Sequence, residues 1–238
     1  MTDDKRVAIV AGVGAGLGAA LVRKLASEGY GVGMFARSPE LMGKLAGEIG
    51  TKALPIPTDV SNPKEVAAAF HKVRQQLGPV EILIANASGS VGKGLMETTP
   101  EQFERSWRIG VCGAFLCARE AVLDMIERGA GTMIFTGATS SVRGRGGAVA
   151  FSSAKFAVRG LVQSLAVELW PKGIHVAHVV IDGVIDTPQV RKRHKPSSKE
   201  PLLKAEAIAE AFWNLIRQQH SAWSLEMDLR PYNEAFFE

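Results

Sequence analysis

A run of glycines near the amino terminus has the spacing of a loop that binds a dinucleotide. Gly12, Gly16 and Gly18 follow a short apolar segment and precede an Ala/Leu-rich one. Glycines allow a sharp turn and let backbone amides approach a pyrophosphate, whose charge the following helix N-terminus favours. A second register, Gly14-x-Gly16-x-x-Ala19, also fits, but we favour the first because its leading glycine directly follows the predicted strand. The alternative without a ligand is a glycine-rich packing turn.

The end of the second predicted strand indicates which dinucleotide this loop would bind. An NAD site usually has an acidic residue here, which binds the ribose hydroxyls. In this sequence the strand ends at Ala36 and Arg37 follows. A guanidinium can pair with a 2′-phosphate and stack on adenine. The sequence therefore favours NADP(H) over NAD(H), against the alternative that Arg37 is a solvated loop charge.

Strand-like and helix-like segments alternate along the chain and would position these groups. The predicted strands are 6–11, 31–36, 52–57, 80–85, 131–136, 174–181 and 222–228, and the predicted helices are 18–27, 39–49, 63–77, 100–128, 150–170 and 203–218. Such alternation predicts right-handed crossovers and an α/β Rossmann-type fold with a doubly wound parallel sheet of about seven strands. No repeat or break in composition divides residues 1–238, so we expect a single domain.

A charged segment late in the chain interrupts this periodicity. Residues 189–200 (QVRKRHKPSSKE) contain Pro and Ser and predict a mobile loop that overhangs the ligand crevice. The basic run at 191–195 lacks the interleaved aromatics of a nucleic-acid platform, so we interpret it as a solvated loop. Its alternative is recruitment of an anionic substrate, helped by Arg143 and Arg145.

Composition excludes several other classes of protein. The 238 residues are 46% hydrophobic and 22% charged, which is typical of a globular protein and not of a disordered tail or a coiled coil. A net charge of +4 is too small and dispersed to predict nucleic-acid binding. The uncharged run 7–22 carries four glycines and is shorter than the roughly 20 residues of a membrane span, and no cationic segment leads into it. Cys112 and Cys117 are too far apart on one predicted helix to bond, which fits the cytoplasm.

Beyond the glycine loop, the chain resembles the short-chain dehydrogenase/reductase family over nearly its whole length. The motifs that carry the resemblance occur in the family's order and spacing: Asp59-Val60, Asn86-Ala87, Phe151-x-x-x-Lys155 and Asp182-Gly183-x-x-x-Thr187. It implies a coenzyme site in which Asp59 and Val60 flank the adenine, Asn86 and Ala87 support the ribose region and Lys155 binds the nicotinamide ribose. Ile185 and Thr187 would hold the carboxamide, with Gly183 beside them and Leu17 in the pyrophosphate loop.

The residues that carry the family's chemistry are largely replaced. The family's proton-exchanging Tyr corresponds to Phe151, and a phenyl ring has no transferable proton. The family's Ser corresponds to Ala138 without gaps, or to Ser141 with a gap that leaves the loop three residues short; we favour the ungapped alignment. The family's helical Asn corresponds to Gly110. Lys155 is the one of the four that remains.

Other polar residues are candidates to replace the missing groups. Ser141 and Thr139 can donate hydrogen bonds, but unaided hydroxyls do not release protons easily. Asp182, where the family has Pro, is better suited to proton exchange, although an Asp in such a loop is more often a turn or cap residue. We interpret His175 and His178, in an apolar strand, as packed and hydrogen-bonded. No cluster of metal-ligand residues is apparent.

Two functions are therefore compatible with the sequence. The first is an NADP(H)-dependent oxidoreductase that acts on a small carbonyl or alcohol without the usual Tyr. The second is a catalytically inactive NADP(H)-binding sensor or partner subunit. The resemblance also implies a homodimer or homotetramer that assembles through the helices 100–128 and 150–170 and the terminal strand.

Overall fold

The main sheet consists of short apolar strands that are buried on both faces, as parallel strands require. The computed structural model describes residues 6–89, 92–194 and 201–233. Within them the strands are β1 (Val7–Ala11), β2 (Gly31–Ala36), β3 (Ala53–Pro57), β4 (Ile82–Ala85), β5 (Gly131–Thr136), β6 (Ile174–Ile181), β7 (Val184–Asp186), β8 (Leu202–Lys204) and β9 (Glu226–Leu229). Seven form one sheet in the order β3-β2-β1-β4-β5-β6-β9, and every pair in it is parallel. The expected doubly wound sheet is confirmed.

Helices cover both faces of this sheet. They are α1 (Leu17–Ser27), α2 (Pro39–Ile49), α3 (Pro63–Gln76), α4 (Pro100–Trp107), α5 (Gly113–Arg128), α6 (Val149–Leu169), α7 (Pro188–His194) and α8 (Ala205–Ile216). Pro in the first turn begins α2, α3 and α4, where its missing N–H costs nothing. Asn62 caps α3, and Thr99 forms a capping box with Gln102 at α4.

Two apolar clusters hold the layers together. On one face, Leu21 and Leu25 of α1 pack with Phe212 of α8 against the sheet. On the other face, Phe70 of α3 and Val162 of α6 belong to a second buried cluster that includes α5. The sheet is thus a middle layer between two helical layers, and its carboxyl edge is left for loops.

The strand order reverses at β1, which has β2 on one side and β4 on the other. Crossovers leave in opposite directions from such a point, and a crevice opens at the carboxyl ends of the two strands. The N–H of Gly12 donates to the carbonyl of Phe35 at 2.8 Å, and the Asn86 amide donates to the carbonyl of Gly12 at 2.7 Å. These bonds tie the loop after β1 to the ends of β2 and β4.

The predicted helix 100–128 is in fact two helices joined by a π-helical turn, Arg108–Cys112. Two glycines lie at this junction, Gly110 and Gly113. A Cβ on Gly113 would lie 2.8 Å from Cγ2 of Val60, so α5 approaches the loop after β3 more closely than a side chain allows.

The predicted loop 189–200 is corrected in its first half, because α7 covers Pro188–His194. The hydroxyl of Thr187 accepts the N–H of Val190 at 3.1 Å, and Pro188 follows at the first helical position. Residues 195–200 lie outside the described residues. The last strand begins at Glu226 rather than at residue 222, because a 3₁₀ turn occupies His220–Ala222. In the described ranges no helix has the length and apolarity needed to cross a membrane.

Candidate active site at the carboxyl edge of the sheet

A cavity of about 790 Å³ opens at the carboxyl ends of the strands. Its lining includes nearly all of the predicted site residues, namely Gly12, Gly16, Leu17, Gly18, Arg37, Asp59, Val60, Asn86, Ala87, Ala138, Phe151, Lys155, Gly183, Ile185 and Thr187. Ser141 and Asp182 are not among the lining residues. The fold therefore brings together residues that are up to 175 positions apart in the chain.

The loop after β1 has a backbone that only glycine fits at two positions. Gly12 has φ +106°, and a Cβ there would lie 2.4 Å from the amide nitrogen of Ala87. A Cβ on Gly18 would lie 2.6 Å from the carbonyl oxygen of Gly12. Gly14 has open space around it, which favours the register that begins at Gly12. No side chain caps α1 at Gly16, and Gly16, Leu17 and Gly18 line the cavity, so the first turn of the helix suits a pyrophosphate.

Charged groups lie at the β2 and β3 end of the cavity. The Asp59 carboxylate accepts the hydroxyl of Ser61 at 2.7 Å and its N–H at 2.9 Å. These hydrogen bonds, and next the nearby charges of Arg37 and Arg105, hold the pKa of Asp59 below its ordinary value. The three charged residues also line a side cavity of about 250 Å³. Arg37 is exposed, so its guanidinium is accessible to a ligand at this end.

Lys155 is buried beside the far end of the same cavity. Its side chain reaches inward from α6, and the Nζ donates to the carbonyl of Thr136 at 2.6 Å. The residue is 6% exposed, and no carboxylate pairs with it among the described residues. Burial lowers the pKa of Lys155 from 10.5 to about 8. The ring of Phe151, one helical turn earlier, has its centroid 5.7 Å from Nζ.

The two alternative positions for a substrate-binding hydroxyl differ in what they face. Ala138 lines the cavity, whereas Ser141 is fully buried and its Oγ accepts the N–H of Ala138 at 3.1 Å. Ser141 thus caps a short 3₁₀ turn. This favours the ungapped alignment, in which a methyl group replaces the hydroxyl. Gly110 lies on the π-helical turn and has no side chain with which to hold a water molecule.

The hydrogen bonds of Asp182 argue against its candidate role in proton exchange. The side chain is 3% exposed and accepts hydrogen bonds from Thr139 Oγ1 at 2.7 Å and from Arg143 Nη2 at 2.8 Å. Arg230, at the end of β9, donates to it as well. Three donors occupy the carboxylate away from the cavity. Asp182 is therefore an anchor for the loops after β5, β6 and β9, and the Thr139 hydroxyl is used in the same anchor.

Several lining residues have no motif that points to them. Thr136 and Gly137 line the cavity at the carboxyl end of β5. Ligands bind at the carboxyl ends of strands in such sheets, so this position alone could have indicated the two residues from the sequence. Thr136 Oγ1 is buried without a hydrogen-bond partner among the described residues. Ile109 also lines the cavity, but it does so because of the π-helical turn, which no sequence pattern announced.

The glycine loop, the uncapped start of α1, the orphaned Thr136 hydroxyl and the elongated cavity together fit a dinucleotide. Among the described residues, no group of three or more His, Cys, Asp or Glu is placed to hold a metal ion.

Comparisons with known proteins agree with this geometry. The family model described as short chain dehydrogenase matches residues 6–198. A short-chain dehydrogenase/reductase of Armillaria gallica is 36% identical over 190 residues, which are 77% of this chain and 72% of that protein. The structure of a short-chain dehydrogenase from Rhodopseudomonas palustris is 35% identical, with a TM-score of 0.81 over 95% of this chain and 99% of the other. A 3-ketoacyl-(acyl-carrier-protein) reductase from Brucella melitensis, complexed with NADH, is 28% identical, with a TM-score of 0.85 over 95% and 97% of the two chains.

Proposed function

The chain belongs to the short-chain dehydrogenase/reductase family, and we propose on that premise that it is an NADP(H)-dependent oxidoreductase acting on a small carbonyl or alcohol. The observation that carries the proposal is a cavity whose lining suits a dinucleotide, with the buried, titratable Lys155 beside its far end. Phe151 and Ala138 remove the family's usual proton donor and hydroxyl, so the proton must come from another group.

Each part of the coenzyme has residues suited to it in the cavity. The loop from Gly12 to Gly18 would hold the pyrophosphate, Asp59 and Val60 the adenine, and Asn86 with Ala87 the ribose. Lys155 would bind the nicotinamide ribose, while Gly183, Ile185 and Thr187 would hold the carboxamide. When bound, NADPH supplies the hydride for the carbonyl carbon.

Arg37 supports NADP(H) over NAD(H). It follows β2 where an acidic residue would bind the ribose hydroxyls of NAD, and its exposed guanidinium borders the cavity. The Brucella relative binds NADH in its structure, so membership of the family does not decide the coenzyme. The charge and position of Arg37 are what support the proposal.

Lys155 Nζ holds the proton in this proposal. Its ammonium lies 5.7 Å from the ring centroid of Phe151, the residue at the position of the family's Tyr, and burial lowers its pKa to about 8. A group with a pKa near the working pH both carries a proton and releases it readily. Lys155 therefore protonates the substrate oxygen in reduction and accepts that proton in oxidation.

Binding and turnover together test the proposal. NADPH and NADH are titrated by fluorescence against wild type, Arg37→Ala and, as a control, Arg23→Ala, an exposed arginine of α1 outside the cavity. Loss of phosphate pairing weakens NADPH binding about 10- to 100-fold in Arg37→Ala and leaves NADH binding unchanged. Wild type is then screened on a panel of small aldehydes and ketones beside Lys155→Met and Phe151→Tyr. We expect wild type to turn over at least one of these substrates and Lys155→Met to turn over none. In the titration, equal affinity of wild type for NADPH and NADH contradicts the role of Arg37.

A second candidate function is a silent NADP(H)-binding sensor or partner subunit. It is favoured by the simultaneous absence of the phenol, hydroxyl and amide at Phe151, Ala138 and Gly110. Tight NADPH binding by wild type, with turnover only in Phe151→Tyr, establishes this second function and overturns the first.

Assembly, location and substrate charge complete the proposal. Exposed apolar side chains on α4, α5 and α6 support a homodimer or homotetramer through these helices; they are Phe103, Trp107, Phe115, Leu123, Ile126, Phe156 and Val167. Both cysteines are free, in keeping with the reducing cytoplasm.

An anionic substrate is supported by the exposed Arg145 before α6. Of the basic run, Arg191 is paired with Asp186, and the side chains from residue 193 to 195 lie outside the described residues.

A further inference from the structure

A buried histidine lies beneath the floor of the cavity, and the proposed function does not use it. His178 is 1% exposed and sits near the end of β6, in register with Phe135 of β5. Its side chain is on the sheet face that α6 covers, as are those of Ile174 and Val176 in the same strand. A polar ring at this position is costly to bury unless its nitrogens have partners.

One ring nitrogen connects His178 to the surface. Its Nδ1 lies 2.9 Å from Oε2 of Glu226 on β9. Because a carboxylate only accepts, Nδ1 carries the hydrogen, and Nε2 is left as an acceptor. The Glu226 side chain is 30% exposed and receives two hydrogen bonds of 2.7 Å from Arg159 of α6. Glu226 therefore stands between the buried ring and solvent.

The other ring nitrogen points towards the cavity floor. His178 Nε2 is buried and has no hydrogen-bond partner among the described residues. A Cβ on Gly137 would lie 2.4 Å from this nitrogen, so the ring packs directly against the Gly137 backbone. Gly137 follows Thr136, and the carbonyl between them is the one that accepts from Lys155 Nζ at 2.6 Å.

Lys155 and His178 thus lie on either side of the Thr136–Gly137 peptide, and one has spare hydrogen-bond donors while the other has a spare acceptor. An ammonium can donate three hydrogen bonds, and among the described residues the Lys155 ammonium donates one, to the Thr136 carbonyl. The imidazole has an acceptor nitrogen for which those residues supply no donor. The two groups are not in direct hydrogen bond, and one water molecule between them would satisfy both.

The charges around His178 favour transfer of a proton through its ring over a ring that stays protonated. The charges that act on His178 are the carboxylate of Glu226 on β9 and the cations of Lys155 and Arg159 on α6, and Glu226 is itself paired with Arg159. Burial lowers the pKa of His178, the charges of Lys155 and Arg159 lower it further, and Glu226 opposes them. The imidazole is consequently neutral at rest and able to accept a proton briefly.

We propose that His178 and Glu226 form a proton-exchange pair that connects the buried ammonium of Lys155 to solvent. A proton leaves Nζ for Nε2 through the bridging water molecule, which gives a neutral amine and an imidazolium. The Nδ1 proton passes to the Glu226 carboxylate, which releases it to water, and the ring is left neutral with its hydrogen on Nε2 until the reverse transfer returns the hydrogen to Nδ1. The reverse sequence reloads Lys155 while ligands fill the cavity. The inference rests on the proposed function of Lys155 as proton holder, and His178 and Glu226 act through it as positioning residues.

The decisive experiment measures the protonation of His178 directly and needs no turnover. Imidazole ¹⁵N chemical shifts are followed from acid to alkaline pH in wild type and Lys155→Met, with and without NADPH. We expect the Nδ1–H tautomer of His178 and a shift of its Nε2 signal at the pH where Lys155 titrates, and this step disappears in Lys155→Met. His175, the other buried histidine of β6, whose Nε2 contacts the Ser224 carbonyl at 2.9 Å, is the internal control and shows no such step. The opposite tautomer of His178, or a step that persists in Lys155→Met, overturns the pair.

Turnover then tests the exchange itself. His178→Gln keeps a polar side chain but cannot carry the proton, and Glu226→Gln keeps a hydrogen bond to the ring but removes the charge. Each lowers kcat by about tenfold and adds a solvent isotope effect while KM for NADPH is unchanged; His175→Gln leaves all three unchanged. Normal kcat in both variants overturns the pair. An inactive wild type in which the Lys155-dependent step is present rejects the proposed function and retains the pair.

Discussion

The effect of Lys155→Met on the free energy of unfolding should depend on pH. Relative to wild type, the variant should be more stable at neutral pH than at alkaline pH. The ammonium is 6% exposed and no carboxylate pairs with it among the described residues. A fall in pKa from 10.5 to about 8 corresponds to about 3 kcal/mol of unfavourable free energy when the group is charged. Because the unfolded chain binds this proton more tightly than the folded one, the contribution of Lys155 to the stability of wild type rises with pH above about 8. About 2 kcal/mol of the cost is relieved by about pH 9.5.

Urea unfolding of the coenzyme-free protein measures this effect. The free energy of unfolding of wild type minus that of Lys155→Met should become about 2 kcal/mol more positive between about pH 7 and about pH 9.5. Methionine has a similar length, so the comparison separates the charge from the volume. Lys72→Met, at an exposed site of α3, is the control and should give a difference that does not vary with pH. A flat difference for Lys155→Met as well would mean that the ammonium is solvated or paired, and the acid–base role assigned to it would lose its basis.

The glycine loop and the Asp182 anchor give two more predictions. Gly18→Ala should abolish NADPH binding in fluorescence titration and cost up to about 3 kcal/mol in urea unfolding, because the new methyl lies 2.6 Å from a backbone oxygen; Gly14→Ala, with open space around it, should fold normally, and equal behaviour of the two would contradict the register. Asp182→Asn should destabilise the protein by about 3 kcal/mol, because it leaves Arg143 and Arg230 facing a neutral group. Calorimetry measures this loss, and an unchanged Tm would show that Asp182 does not anchor the loops.

The sheet was predictable from the sequence because each of its strands is a compact apolar run. Strands β2, β5 and β6 match the predicted bounds, and glycine or proline marks many of the neighbouring turns. The break between α4 and α5 was not predictable, since 100–128 keeps a helical periodicity and the π-helical turn depends on close packing of Gly113 against Val60. Helix α7 was missed because the charged composition of 189–200 outweighed the Thr187-Pro188 start signal.

The site divides in the same way between local and distant information. The positions of the glycine loop and Arg37 at the cavity are predictable because each follows the end of one strand, and that of Lys155 because the family resemblance implies it. The anchor at Asp182 depends on Arg230, 48 residues later, and the partner of His178 is Glu226, also 48 residues later. One sequence carries no pattern that joins such pairs, so the sequence indicates only a packed histidine at His178 and a turn, cap or proton-exchange residue at Asp182.

Lys155 alone does not distinguish an enzyme from a silent coenzyme-binding protein, because both need a cation for the ribose. A sensor would gain from an ammonium that stays charged, since its hydrogen bonds to the ribose depend on its N–H donors. An enzyme without the phenol needs the same nitrogen to lose and regain a proton while coenzyme and substrate cover it. Burial alone weakens the charged form and is compatible with both functions. A protonation route from beneath the cavity serves proton transfer to a substrate, and so the behaviour of His178 in the NADPH-bound protein, measured together with turnover, bears more directly on function than the presence of Lys155.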